Sequence, residues 1–158
     1  MKRPRATVLA SAVILALSLN FYAIAASNAK DEQALREVDN GIIAAQTTDQ
    51  IMQYVDKDMV LSDFLPPMEY DGEKAIRAHF DQFFNNATDI KAEFVKVKII
   101  TDGKLGIVYS IQHFTWKNKD GKPGDGTFRL TDVFHKVGGQ WKDIHTHVSL
   151  PPQPPAKG

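Results

Sequence analysis

Asp132 and His145 are the residues whose types and spacing best suit acid–base chemistry, provided that one turn holds them in register. Gly138-Gly139 separates two alternating segments, and a two-residue hairpin needs φ > 0 at both turn positions, which glycine supplies. Pairing Val137 with Gln140 makes opposite positions sum to 277. Even positions of the earlier strand then share a face with odd positions of the later one. That face carries Phe128, Leu130, Asp132 and Phe134 together with Trp141, Asp143, His145, His147 and Ser149. Asp132 and His145 are predicted directly opposite, where Cβ atoms are about 5 Å apart, and a one-residue register change would separate them. A carboxylate beside an imidazole in an apolar setting suits proton transfer: burial raises the aspartate pKa, an imidazolium lowers it, and imidazole titrates near neutrality. The same pair also reads as a buried histidine satisfied by an aspartate, with neither touching a substrate.

Asp63, just before Pro66-Pro67, is a second candidate for ligand binding, although an aspartate there also suits a turn. His147 lies on the predicted inner face, and Trp141, Phe128, Leu130 and Phe80 are the expected walls of a binding cavity. His145-Thr146-His147 projects two imidazoles from alternate strand positions. A catalytic zinc normally needs three protein ligands, which here would mean recruiting Asp143 or His135, so no metal is expected. No cofactor is expected either, because the chain has no Gly-rich phosphate loop, no G-x-S-x-G and no H-E-x-x-H.

The chain has 158 residues, 43% apolar and 24% charged, with 19 Lys+Arg against 19 Asp+Glu and no cysteine. That suits one folded domain rather than a disordered tail. The balanced charge offers no footprint for nucleic acid, and the missing cysteine removes disulfides and thiolate chemistry. Lys2, Arg3 and Arg5 precede an apolar run from Ala6 to Leu19, followed by Ala23-Ile24-Ala25. This is the secretory signal layout, with residues 1–25 removed at an A-x-A site; the run is shorter than the roughly 20 residues that span a bilayer. Cleavage leaves 16 basic against 19 acidic residues, a net charge of −3. The expected product is a secreted or periplasmic protein, not held in a membrane, with a domain over 26–151 and a Pro-rich tail over 152–158.

The elements that must position the candidates change period midway. Leu35, Val38, Ile42, Ile43 and Ala45 predict an amphipathic helix from Asp31 to about Thr47. A short helix over Asp49–Asp56, capped by Asp49, and a strand over Met59–Phe64 follow. Ala75, Ile76, Phe80, Phe83 and Phe84 then mark an aromatic helix over Glu73–Phe84. Alternation with turn signals follows: strands at about Lys91–Ile100, Leu105–Trp116, Thr127–Val137 and Gln140–Leu150. Helices first and a strand meander after is an α+β pattern, with helices on one face of an antiparallel sheet.

This order, closing on Trp141-Lys-Asp-Ile-His145-Thr-His147-Val-Ser149-Leu-Pro151, resembles the SnoaL-like and ketosteroid-isomerase-like branch of the nuclear transport factor 2 superfamily. The closing motif and Thr131–Lys136 ahead of it are also similar to the association domain of calcium/calmodulin-dependent protein kinase II. Asp63-Phe-Leu-Pro66-Pro67, followed by Gly72 and the Ala75/Phe83-Phe84 helix, fits SnoaL-like members too. The resemblance covers about Asp31 to Pro151. It implies a cone, a strongly curved antiparallel sheet wrapped around three helices of the N-terminal half, with a cavity at the open end and a homodimer or larger homo-oligomer as the unit. Asp132 stands where the association domain carries a pocket arginine, Arg129 falls on the opposite predicted face, and no position matches the Tyr and Asp oxyanion hole of the ketosteroid isomerases.

Two functions follow as expectations. In one, an exported enzyme acts on a small, largely apolar carbonyl compound, with Asp132 or the Asp132–His145 pair moving a proton in isomerase-, cyclase- or hydrolase-like chemistry. In the other, a non-catalytic module uses the cavity for a ligand and the outer sheet face for assembly; Ile107, Tyr109 and Ile111 oppose Val108 and Phe114 on a strand apolar on both sides.

Overall fold

Alternation along the second half, broken at a few bulges, builds most of one sheet, whose inner face is covered by helices. The computed structural model describes residues 28–151; the expected signal peptide and the Pro-rich tail lie outside the described residues. Residues 28–44 are helical (α1). After α1 come helix α2 (Thr48–Met52), strands β1 (Val55–Ser62) and β2 (Glu69–Asp71), helix α3 (Gly72–Asn86), and strands β3 (Ala87–Thr101), β4 (Leu105–Asn118), β5 (Pro123–Val137) and β6 (Gln140–Ser149). The six-stranded sheet has the order β2-β1-β6-β5-β4-β3. The β3–β6 meander is antiparallel as expected. β1, by contrast, joins β6 in parallel, because the chain reaches it from the helical side rather than through a hairpin.

Several boundaries move for local reasons. Thr47 ends no helix: it caps α2, and its hydroxyl accepts the Gln50 N–H at 3.3 Å. Asp49, the expected cap, sits in the first turn and binds Arg77 at 2.6 Å. The second helix stops at Met52 rather than Asp56 because β-branched Val55 pairs with Asp143 of β6. β2 is a strand the sequence did not announce; three residues suffice to pair Glu69–Asp71 with Val60–Ser62 across the proline turn. β4 and β5 also run further than expected, to a short turn closed by the Asn118 N–H on the Lys122 carbonyl at 2.8 Å.

Bulges bend the sheet. The β3–β4 ladder shifts between Thr88 and Lys91 and between Phe94 and Lys96, and the β5–β6 ladder shifts between Val133 and Phe134. Each extra residue increases local twist and bends its strand, so the sheet curls around the helices.

The inner face packs as two separate clusters. Leu35 of α1 joins Val108, Phe134 and Trp141 in one; Ile76 of α3 joins Met59 and Leu61 in the other. Gly106 lets α1 approach: a Cβ there would lie 2.5 Å from Leu35 Cδ1. Leu35 is fully buried, so Leu35→Ala leaves a void that the curved sheet cannot collapse to fill. We expect it to lower unfolding free energy by about 2–5 kcal/mol, read by urea denaturation; a loss below about 1 kcal/mol would mean that α1 is not docked as described.

Candidate functional site

Against the second cluster, whose Met59 and Leu61 form part of its wall, the inner face leaves a cavity of about 500 Å³. Its walls are mostly apolar: Ile42 of α1, Met59 and Leu61 of β1, Phe80 and Phe84 of α3, Phe114 of β4, Phe128 and Leu130 of β5, and Val148 of β6 all line it. Leu65, also in the wall, is 54% exposed, so the cavity runs from the surface inward. Gly124 makes room for its aromatic rim, since a Cβ there would lie 2.4 Å from the ring of Trp116.

The inner end is acidic. Asp39, Asp132 and Asp143 line it at 2%, 4% and 4% exposure, with Thr146 buried among them. Thr146 Oγ1 lies 2.7 Å from Asp132 Oδ1 and 2.7 Å from Asp143 Oδ2. A hydroxyl has one proton to donate, so both contacts are hydrogen bonds only if one carboxyl group is itself protonated and donates to the threonine oxygen. The electrostatics agree. Burial pushes Asp132 up to about 7, against the opposing hydrogen bond from Thr146. Asp39 rises to about 8 through burial and the neighbouring Asp132, with Arg36 pulling the other way. Asp143 is raised well above the usual carboxylate range, by burial first and by Asp132 next.

The expected Asp132–His145 pair does not form. Phe134 pairs with Asp143 but Val133 pairs with His145, so Ile144 is an extra residue and Asp132 stands opposite Thr146. Up to the bulge odd positions of β6 face inward, as Trp141 and Asp143 do; beyond it even positions do, as Thr146 and Val148 do. His145 and His147 therefore leave the inner face, and His147 is exposed. What His145 gives the acidic cluster is its backbone N–H, which donates to Asp143 Oδ1 at 3.1 Å. Trp141 is buried but belongs to the packed cluster with Leu35, Val108 and Phe134 rather than to the cavity wall. Among the described residues no three His, Asp or Glu side chains converge as metal ligands would.

Asp63 combines both readings. Its Oδ1 accepts the N–H of Phe64 at 2.6 Å and of Leu65 at 3.3 Å, a turn-forming role, while its Oδ2 faces His79 Nε2 at 3.9 Å. Both residues line the cavity. Burial lowers the His79 pKa, against the pull of Asp63, and the imidazole packs against the Tyr70 ring at a tilt of 52°, centroids 4.4 Å apart.

Asp39, Thr146, Gln112 and His79 were not among the expected site residues. Asp39 carried a readable signal: it falls four residues after Leu35 and three before Ile42, a charge on an apolar helical stripe. Thr146 carried none, because its inward direction depends on the bulge. Gln112 is fully buried on an inward position of β4 and donates to Ser110 Oγ at 2.9 Å; alternation placed it inward, but nothing marked it as polar lining rather than core.

The profile of the SnoaL-like domain family matches residues 38–153. No curated protein matches the chain at a significant level. Among solved structures, a nuclear transport factor 2-like superfamily protein from Salmonella enterica serovar Typhimurium is 19% identical, covering 82% of this chain and 98% of that one with a TM-score of 0.71. A ketosteroid isomerase-like protein from Erwinia carotovora atroseptica is 17% identical, covering 77% and 98% with a TM-score of 0.67. A Xanthomonas campestris protein provisionally described as a calcium/calmodulin dependent protein kinase II association domain is 23% identical, covering 79% and 89% with a TM-score of 0.68. Likeness at these identities shows the fold: an α+β, nuclear transport factor 2-like sheet with its helices in the N-terminal half, as the resemblance implied.

The raised carboxyls set a pH dependence of stability. A carboxyl whose folded pKa lies above its unfolded value of 3.8 binds its proton more tightly in the folded state. Its contribution therefore falls as pH rises from about 4 and levels off above the folded value. For Asp39 the window runs from 3.8 to about 8. Asp39→Asn should gain about 2 kcal/mol or more over wild type at pH 8.5 and much less at pH 5, read from urea midpoints at the two pH values. A difference that does not change with pH would contradict the assignment.

Proposed function

The chain belongs to the SnoaL-like domain family, and on that premise we propose that it binds a small, largely apolar molecule in the cone cavity and performs acid–base chemistry on it. The observation that carries this reading is the pairing of apolar walls with a proton-sharing carboxyl cluster at the inner end of the same cavity. A cavity of about 500 Å³ suits a small organic molecule. General acid–base groups work best when their pKa lies near the operating pH, and burial brings Asp132 to about 7. Asp132 takes or gives the proton at the bound molecule. Thr146 joins it to Asp143, so a proton arriving at Asp132 has a second carboxyl with which to be shared. Phe128, Leu130 and Phe80 supply the apolar contact, and Asp63 and His79 stand on another part of the wall. Such chemistry is of the isomerase, cyclase or hydrolase kind.

We further propose that the protein is exported, on the strength of its N-terminal layout, and that it forms a homodimer or larger homo-oligomer through the outer sheet face. Ile107 pairs with Val133 and Tyr109 with Thr131 on that face, and Tyr109 is 42% exposed. This face also supports the second reading, a ligand-binding assembly module without turnover.

Native mass spectrometry of gently purified protein should show an oligomer carrying a reproducible small-molecule mass. With that compound as substrate, Asp132→Asn should keep the fold and ligand binding while turnover falls by about 10²-fold or more, the usual contribution of a positioned acid–base group. Turnover at the wild-type rate in Asp132→Asn would end the catalytic assignment; binding without turnover in the wild type would leave the module.

A further inference from the structure

Among the described residues the cavity wall contains four aspartates, Asp39, Asp63, Asp132 and Asp143, and one histidine, but no lysine or arginine. Three of the four crowd the inner end. Asp132 and Asp143 are tied together through Thr146, and Asp143 also receives the His145 N–H. Asp39 differs. It projects from α1 rather than from the sheet, it is 98% buried given its 2% exposure, and its Oδ2 has no hydrogen-bond partner among the described residues. Asp132 Oδ2 is unpartnered as well. Arg36, one turn earlier on α1, is exposed and is the weakest of the influences on Asp39.

A buried carboxyl without a partner is destabilising unless something supplies one. A ligand that pairs with its ionised form must bring a donor, because a carboxylate accepts only. A cation does more than a neutral donor here: it pairs with the ionised form of Asp39, and among the described residues no lysine or arginine lines the cavity to repel it. An anionic ligand finds no lysine or arginine to pair with among the described residues of the wall. The apolar walls require the remainder of the molecule to be hydrocarbon.

We propose that the cavity selects an apolar amine, whose ammonium group sits against Asp39 while its hydrocarbon body lies among Phe80, Phe128 and Leu130. This rests on the cavity being a ligand site and narrows its ligand class. Asp39 is then the recognition group, and Asp132 with Thr146 and Asp143 keeps the shared proton. Below about pH 8 the amine would enter charged and displace the proton from Asp39, so binding there releases a proton. The groups facing that charge are Asp132 on β5, Asp143 on β6 and Arg36 on α1 itself, with Asp63 and His79 elsewhere on the wall.

Three probes of one shape test this by NMR titration of the purified protein: phenethylamine, phenethyl alcohol and phenylacetate. Phenethylamine should bind at least tenfold more tightly than the alcohol at pH 9, and phenylacetate most weakly. Amine affinity should rise about tenfold from pH 7 to pH 9, because Asp39 ionises near 8 while an alkyl amine stays charged to about pH 10. Asp39→Asn should abolish both the preference and the pH dependence. If the alcohol binds as well as the amine, or if amine binding tightens as pH falls, the carboxyls serve as neutral donors and the amine class is wrong while the cavity stands. If none of the three shifts resonances of cavity residues, the ligand-site reading falls with it. The wild-type pH comparison decides the matter even if the Asn variant misfolds.

Discussion

A single hydroxyl held between two buried carboxyl groups sets the chemistry of this fold. Thr146 lies 2.7 Å from both Asp132 and Asp143, and those two contacts need a proton beyond the one the threonine owns. The cluster therefore carries at least one carboxylic acid as part of its hydrogen bonding, before any ligand is considered. Burial favours the same state, since the charged form of each aspartate loses water without gaining a cation. Placing such a group at the closed end of an apolar cavity puts a transferable proton where water is scarce.

The bulge at Ile144 is what permits it. In a regular strand Asp143 and Thr146 would face opposite sides, being three residues apart. The extra residue brings both inward and turns the His145 backbone N–H onto Asp143. The same bulge increases local twist, so the feature that assembles the carboxyl cluster also helps to curl the sheet around α1 and α3. Those helices pack against the sheet in two separate clusters, and the cavity opens against the one that α3 forms with β1. α1 adds the third carboxyl from the helical side, so sheet and helix each contribute acid to one point.

Much of the fold was legible because apolar spacing is a direct record of burial. The even positions of β5, Phe128 through Phe134, face inward as alternation required; Leu35 and Ile76 anchor their helices as the helical stripes required. The site was less legible. Asp132 was found because it interrupts an apolar face, and Asp63, Phe80, Phe128 and Leu130 line the cavity. His145, His147 and Trp141 were misplaced: the hairpin turn fixes register only as far as the first irregularity, and the two histidines lie beyond it. Trp141 lies before the bulge and does face inward, yet inward covers both core and cavity, and only the helix packing separates the two. The odd charge of Asp39 on the α1 stripe was visible in the sequence, but a stripe alone does not show what an inward carboxyl meets.

Near neutral pH the inner end of the cavity holds protonated carboxyl groups. This state is tested most directly by following the side-chain carboxyl ¹³C resonances of the aspartates by NMR through a pH titration. Asp39 should titrate near 8 and Asp132 near 7, with Asp143 also well above the ordinary range. All three titrating together near 4, as exposed aspartates do, would contradict it.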